Sequence, residues 1–215
     1  MVSAVLFDLD GVLVDTEKLS IRASDEVLAR HGIERKPEEL ARVFGRRTIE
    51  NYRELIESRG LRLDPAELAR EKEELYFKMI SGRLSPKEGV LELIGELEKA
   101  GVRIAVVSSS GIERVKKTLD EIKLSSEFDQ IISGDCCRLG KPDPAPFLYA
   151  AKKLRVKPEK CVAIEDADAG IAAAKAAGMM VIGVKNKNTH GQTLKGADLV
   201  VVELSEVNLT VLNGL

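Results

Sequence analysis

At 215 residues and 44% hydrophobic content, the chain is long enough for one large domain or two small ones and apolar enough for a sizeable core. Its formal net charge of -2 speaks against a nucleic-acid or membrane-surface protein, and no stretch reads as a leader or a membrane span, so a cytoplasmic protein is expected. Aromatics are 4% with no tryptophan, which makes the core aliphatic, and the adjacent Cys136 and Cys137 lack the spacing of a zinc site and suit a reduced compartment.

The first element begins at Ala4. Four apolar residues run into Asp8, Leu9, Asp10 and Gly11. An apolar run of this kind predicts a strand buried on both faces. Asp10-Gly11 is turn chemistry, so the chain is expected to bend just after Asp10, with both carboxylates at the carboxyl end of a central strand. Two such charges about 4 Å apart repel by about 4 kcal/mol at an effective dielectric near 20, and a divalent cation removes that cost. A strand-ending turn with one incidental aspartate reads equally well from these residues alone.

A helical block follows. The apolar stripe of Leu19, Ala23, Val27 and Leu28 predicts a helix from Glu17 to Arg30. Pro37 opens another, Thr48 to Ser58 is a third, and Asp64-Pro65 opens a fourth with proline at its first position. Residues 17–82 carry 14 basic and 14 acidic side chains, mostly solvated faces without a charge bias.

After Ser85-Pro86-Lys87-Glu88-Gly89 the rhythm changes. Helices are expected at Val90–Ala100, Ile112–Ile122, Ala145–Leu154 and Ala169–Ala177. Strands are expected at Val102–Val107, Gln130–Ile132, Cys161–Ile164, Met179–Val184 and Leu199–Val202, with a short helix at the end. Such alternation means βαβ units and a parallel sheet. The helical block is thus inserted between the first strand and the rest of a doubly wound α/β domain.

Three further stretches fall at predicted strand ends. Ser108-Ser109-Ser110-Gly111 precedes a helix, where hydroxyls and backbone N–H groups can hold an anion; Ser110 is expected to cap that helix while Ser108 meets a ligand. Lys141 lies in Gly140-Lys141-Pro142-Asp143-Pro144, a stiff loop that makes a positioned charge more plausible than a merely solvated one. Glu165 and Asp166 end a strand, and hard oxygen ligands of this kind suit magnesium.

In this order, the four stretches resemble those of the haloacid dehalogenase-like hydrolases over nearly the whole chain: Phe7-Asp8-Leu9-Asp10-Gly11-Val12-Leu13-Val14-Asp15-Thr16-Glu17, then Ser108, then Lys141, then Glu165-Asp166 with Gly170. The resemblance implies a Rossmann-like doubly wound core at residues 1–15 and 83–215 and an α-helical cap domain at 16–82. It is strongest to the branch of sugar-phosphate and phosphoglycolate phosphatases and β-phosphoglucomutases. By that resemblance Asp8 is the nucleophile that becomes an aspartyl-phosphate, and Asp10 protonates the leaving alcohol and then activates water. Lys141 completes the catalytic set. Ser108, the Ser109 backbone N–H and Lys141 hold the phosphoryl oxygens. Asp8, the Asp10 carbonyl, Glu165 and Asp166 hold Mg²⁺. The Asp10 carboxyl must reach its neutral form, which a neighbouring carboxylate and a dry site favour.

The implied partner is a small phosphorylated metabolite, with no nucleic acid and no membrane. Oligomeric state has no legible signature, and a monomer is the working expectation. Substrate choice falls to the cap, where Thr16, Arg46 and Arg47 are the candidates, although arginine on a helix is more often just surface. Asp10 and the acidic pair disfavour a dehalogenase, a phosphonatase, a binding protein without catalysis and an acylphosphate switch. The alternative is a β-phosphoglucomutase-like mutase. The mutase pattern has a histidine and an arginine where this chain has Ser20 and Thr48, so net phosphate release is expected. A cap hinge is expected near Asp15-Thr16 and Gly82–Ser85.

Overall fold

The computed structural model describes residues 1–40, 42–188 and 191–215. Strand β1 (Ala4–Phe7) is followed by helices α1 (Glu17–Arg30), α2 (Pro37–Leu40), α3 (Thr48–Ser58) and α4 (Pro65–Ile80). Then come α5 (Val90–Lys99), β2 (Arg103–Val107), α6 (Ile112–Glu121), β3 (Gln130–Ile132), α7 (Ala145–Leu154), β4 (Cys161–Glu165), α8 (Asp168–Ala176), β5 (Met180–Val184), β6 (Leu199–Val201) and α9 (Leu209–Gly214). The strands form one parallel sheet in the order β3-β2-β1-β4-β5-β6. The order reverses at β1, so a crevice opens at its carboxyl end.

Alternation along β1 builds both faces of the core. Val5 and Phe7 join the cluster of Val90, Leu93, Ile94 and Leu97 from α5 and Val115 and Leu119 from α6. Ala4 and Leu6 face the other way, onto Phe147, Ala150, Ala151 and Leu154 of α7 and the small residues Ala173 and Ala174 of α8. Both helical sets keep the i, i+3, i+4, i+7 spacing of one buried stripe.

The inserted helices form a cap with its own small clusters, one of them Val27, Leu28, Tyr52, Ile56 and Leu68. Asp64 caps α4 by accepting from the Ala66 N–H at 2.8 Å, with Pro65 in the first turn. Helix α4 reaches the core through α6: the Tyr76 and Thr118 hydroxyls lie 3.3 Å apart, and the Lys117 ammonium sits 3.8 Å from the Phe77 ring centre.

The strand covers the four apolar residues and the chain bends just after Asp10, as expected: Leu13 N–H donates to the Leu9 carbonyl and Gly11 N–H to that of Val14, with Gly11 left-handed at φ 90°. One expectation is corrected here. Ser110 does not cap α6. Gly111 occupies that position, and the Asp135 carboxylate accepts the Ile112 N–H at 2.7 Å. Short 3-10 turns at Gly134–Cys136, Pro158–Lys160 and Leu204–Glu206 carry no periodicity of their own and have no counterpart in the sequence reading.

Candidate active site

Each residue singled out on the core side reaches the carboxyl end of the sheet. The Asp8 N–H donates to the Ile164 carbonyl at 2.9 Å, which seats Asp8 between β1 and β4. Lys141, fully buried, donates to Asp8 Oδ1 at 2.5 Å, to the Val107 carbonyl at 2.7 Å and to Glu165 Oε1. Its loop thereby ties the ends of β1, β2 and β4 together. Burial opposes the Lys141 charge, but Asp8 and Glu165 outweigh it and hold the ammonium above the ordinary lysine value.

Asp8, Glu165 and Asp166 are all buried, each with a carboxylate oxygen within 4.8 Å of the others. Glu165 Oε2 has no hydrogen-bond partner among the described residues. Three carboxylates thus face one ammonium, leaving two formal negative charges in a buried space, the charge of one divalent cation. Burial, the largest influence, pushes the Asp8 and Asp166 carboxyls well above the usual range, and neighbouring carboxylates push the same way. Hard oxygen donors with uncompensated charge and an orphaned oxygen fit a magnesium-type cation.

Asp10 points elsewhere. Its Oδ1 accepts from Arg114 Nη2 at 3.1 Å and from the Thr16 hydroxyl, and its Oδ2 accepts from the Ser110 hydroxyl at 3.1 Å. Burial raises this carboxyl, yet the Arg114 guanidinium and the three donors more than offset it, so Asp10 lies below the usual carboxylate value. The expectation of an easily reached neutral form is thereby corrected: without substrate, the arginine charge and the hydrogen bonds from Thr16, Arg114 and Ser110 together outweigh the burial that favours it.

Ser108 is buried, and its Oγ accepts the Ser110 N–H at 3.1 Å. Asp8, Asp10, Ser108, Ser109 and Asp166 line one cavity, of about 200 Å³, with residues of the cap as its roof. The cavity thus has a core floor of carboxylates and hydroxyls under a helical roof. A family model described as "Haloacid dehalogenase-like hydrolase" matches residues 5–184. The chain belongs to the haloacid dehalogenase-like hydrolases. It is 34% identical over 218 residues to the β-phosphoglucomutase of Bacillus subtilis (strain 168), covering 98% of this chain and 93% of that one. It is 32% identical over 185 residues to the fructose-1-phosphate phosphatase YqaB of Escherichia coli (strain K12), covering 85% and 96%. The crystal structure of a CbbY mutant from Rhodobacter sphaeroides in complex with xylulose-(1,5)bisphosphate superposes with a TM-score of 0.89 at 30% identity, covering 99% of each chain. The family relatives therefore include both phosphatases and phosphomutases.

On the roof, this haloacid dehalogenase-like chain departs from the sequence reading. Arg46 lines the cavity and pairs with Glu54 at 2.7 Å. Arg47 is corrected: it does not line the cavity, because its guanidinium is spent on the Arg138 and Cys137 carbonyls, at 3.0 and 2.6 Å, where it ties cap to core. Ser109 adds a second tie, its hydroxyl donating to the Gly45 carbonyl at 2.8 Å. Thr16 lines the cavity, its hydroxyl donating to Asp10 Oδ1.

Four more residues of this hydrolase line the cavity or the acidic cluster. Glu17, buried and pushed up to about 8 chiefly by burial and then by Asp10, faces the same space. Asn186 donates to Asp166 Oδ2 at 2.9 Å. Lys72 and Arg114 are buried basic side chains on α4 and α6. Their sequence signal was present: Leu68, Lys72, Tyr76 and Ile80 form one i, i+4 stripe, and Arg114 adjoins Val115 and Leu119, so each charge interrupts a face that should be apolar.

Proposed function

We propose that the chain is a Mg²⁺-dependent phosphatase acting on a small phosphate monoester of the sugar-phosphate or phosphoglycolate type. The observation that carries this reading is the placement of two carboxylates in one cavity with different partners: Asp8 against Lys141 and the acidic cluster, Asp10 against Arg114 and two hydroxyls. In the first half-reaction an Asp8 oxygen attacks phosphorus. The ester P–O bond breaks with its electron pair on the alcohol oxygen, which takes a proton from Asp10. In the second, Asp10 takes a proton from water, whose oxygen attacks phosphorus and releases phosphate with the Asp8 carboxylate restored. Lys141, the Ser108 hydroxyl and the Ser109 N–H neutralise and orient the phosphoryl oxygens. Asp8, the Asp10 carbonyl, Glu165 and Asp166 are the residues to hold Mg²⁺, which supplies charge neutralisation at the phosphoryl group when bound. Arg46 and Lys72 in the roof offer positive charge to the rest of the substrate.

The mutase reading competes because the B. subtilis relative bears that name. Against it stand Ser20 and Thr48. The Ser20 hydroxyl accepts from Arg114 at 3.4 Å and the Thr48 hydroxyl from Lys72 at 2.9 Å, and neither can act as a cationic donor to a sugar phosphate. Phosphorus NMR of β-glucose 1-phosphate with glucose 1,6-bisphosphate and Mg²⁺ tests the assignment. Inorganic phosphate is expected to accumulate, and to stop under excess chelator. Glucose 6-phosphate forming faster than phosphate overturns the phosphatase reading, and full activity under chelator overturns the metal role.

A further inference from the structure

Arg114 is a core residue, in the first turn of α6, with a side chain only 4% exposed. It meets two parties at once. Toward the core, Nη2 donates to Asp10 Oδ1 at 3.1 Å. Toward the cap, the guanidinium carbon lies 3.8 Å from the centre of the Tyr76 ring, Nη1 lies 3.5 Å from Glu73 Oε1, and Nη1 donates to the Ser20 hydroxyl at 3.4 Å. Tyr76 and Glu73 belong to α4 and Ser20 to α1.

A buried ion pair is a weak device for stability, since an apolar side chain of similar volume serves as well or better. What the pair does supply is direction. The Asp10 carboxylate takes three donors, from Arg114, Thr16 and Ser110, which together fix its plane. Of these, Arg114 also meets the long cap helix α4 through Tyr76 and Glu73, and its planar fork with a ring stacked on it has a defined orientation that a lysine could not reproduce. Moving α4 away would strip the ring and the Glu73 carboxylate from the guanidinium and let Asp10 turn with it.

We propose that Arg114 is a positioning residue that ties the orientation of Asp10, and hence proton delivery to the leaving oxygen, to the seating of cap helix α4. The inference rests on the phosphatase reading, with Asp10 as the acid. It is tested by the kcat/KM of purified full-length variants on two esters of one shape, p-nitrophenyl phosphate and phenyl phosphate in Mg²⁺. Phenoxide is the poorer leaving group and needs the proton more. Asp10→Asn calibrates the readout, with the larger loss on phenyl phosphate.

Arg114→Gln is expected to lower kcat/KM on phenyl phosphate by about 10²-fold, the lower end of what general acid catalysis contributes, and on p-nitrophenyl phosphate by less than about tenfold. Arg114→Lys should recover part of the phenyl phosphate rate. Tyr76→Leu, which leaves Arg114 in place and removes its cap partner, should shift the ratio the same way by a smaller factor. Should Arg114→Gln fail to fold, the lysine and Tyr76 variants decide the matter through the same ratio. Equal losses on both esters in folded variants, while Asp10→Asn still discriminates, overturn the role of Arg114 and leave the phosphatase reading standing. No hydrolysis of either ester by the unaltered chain overturns that reading and this inference with it.

Discussion

Lys141, in the floor of the cavity, lies between Asp8 and Glu165 with its side chain 1% exposed. In the roof, Arg46 pairs with Glu54 at side-chain exposures of 28% and 48%, and Arg35 with Asp25 at 10% and 48%. Floor charges are desolvated and have no alternative partner in water, so each is locked to its neighbours. Roof pairs are worth about 0–1 kcal/mol each and can exchange partners with an arriving anion at little cost. On the proposed phosphatase reading, chemistry is therefore held where rearrangement is expensive, and recognition where it is cheap. Changes to the floor should abolish turnover, and changes to the roof should grade it.

The largest effect is expected from Asp8→Asn. The amide keeps the shape of the carboxylate and removes the nucleophile, so turnover of p-nitrophenyl phosphate should fall about 10⁴-fold or more, the scale of nucleophile loss in enzymes. Thermal unfolding should show a midpoint no lower than that of the parent chain, since a buried carboxylate among others is removed. Activity within tenfold of the parent would mean that another group attacks phosphorus.

An intermediate effect belongs to the seam between floor and roof. Gly45 has φ 69°, and a Cβ there would come 2.7 Å from the Ala167 Cβ, so only glycine lets the cap lie this close to the end of β4. Gly45→Ala combines left-handed strain of about 1–2 kcal/mol with that clash. Cap seating should weaken, and kcat/KM should drop about tenfold for each 1.4 kcal/mol lost from the closed form. Ser109→Ala removes the hydrogen bond to the same Gly45 carbonyl without the clash and should cost less. Steady-state kinetics of the two variants side by side ranks them, and an unaffected Gly45→Ala would detach catalysis from this contact.

The same floor-and-roof division governs what the sequence could say. Parallel strands such as Ala4–Phe7 and Cys161–Glu165 are buried on both faces and read as apolar runs, and their ends mark where Asp8, Glu165 and Asp166 must gather. Lys141 is legible because its loop is stiff. Roof partners are not legible in this way. Whether Arg47 faces a substrate or two backbone carbonyls near residue 138 depends on a contact across some 90 positions of chain, which no local pattern encodes. Arg114 and Lys72 left a trace as charges inside apolar stripes, but a stripe does not name the partner.

The smallest effect, and the one that separates cost from use, concerns Lys72. It is buried, its ammonium donates to the Thr48 hydroxyl at 2.9 Å, and among the described residues no carboxylate lies within ion-pair distance of it. Burial first, and the Arg114 charge next, lower its pKa from 10.5 to about 7. Between those values the unfolded chain holds a proton that the folded chain has released. The contribution of Lys72 to stability therefore rises with pH across that window, at no more than about 1.4 kcal/mol per unit, and the cost of the buried charge is largest below about 7. Lys72→Met should accordingly be more stable than the parent at about pH 6.5, with the advantage shrinking toward about pH 9.5. Urea melts at the two pH values measure it, and a difference that does not change with pH would show that Lys72 is not the group responsible. Retaining a lysine that costs stability makes sense if an anion in the cavity restores its charge. Inorganic phosphate with Mg²⁺ should then raise the melting midpoint of the parent more than that of Lys72→Met near neutral pH, and equal shifts would leave the cost of Lys72 without a return.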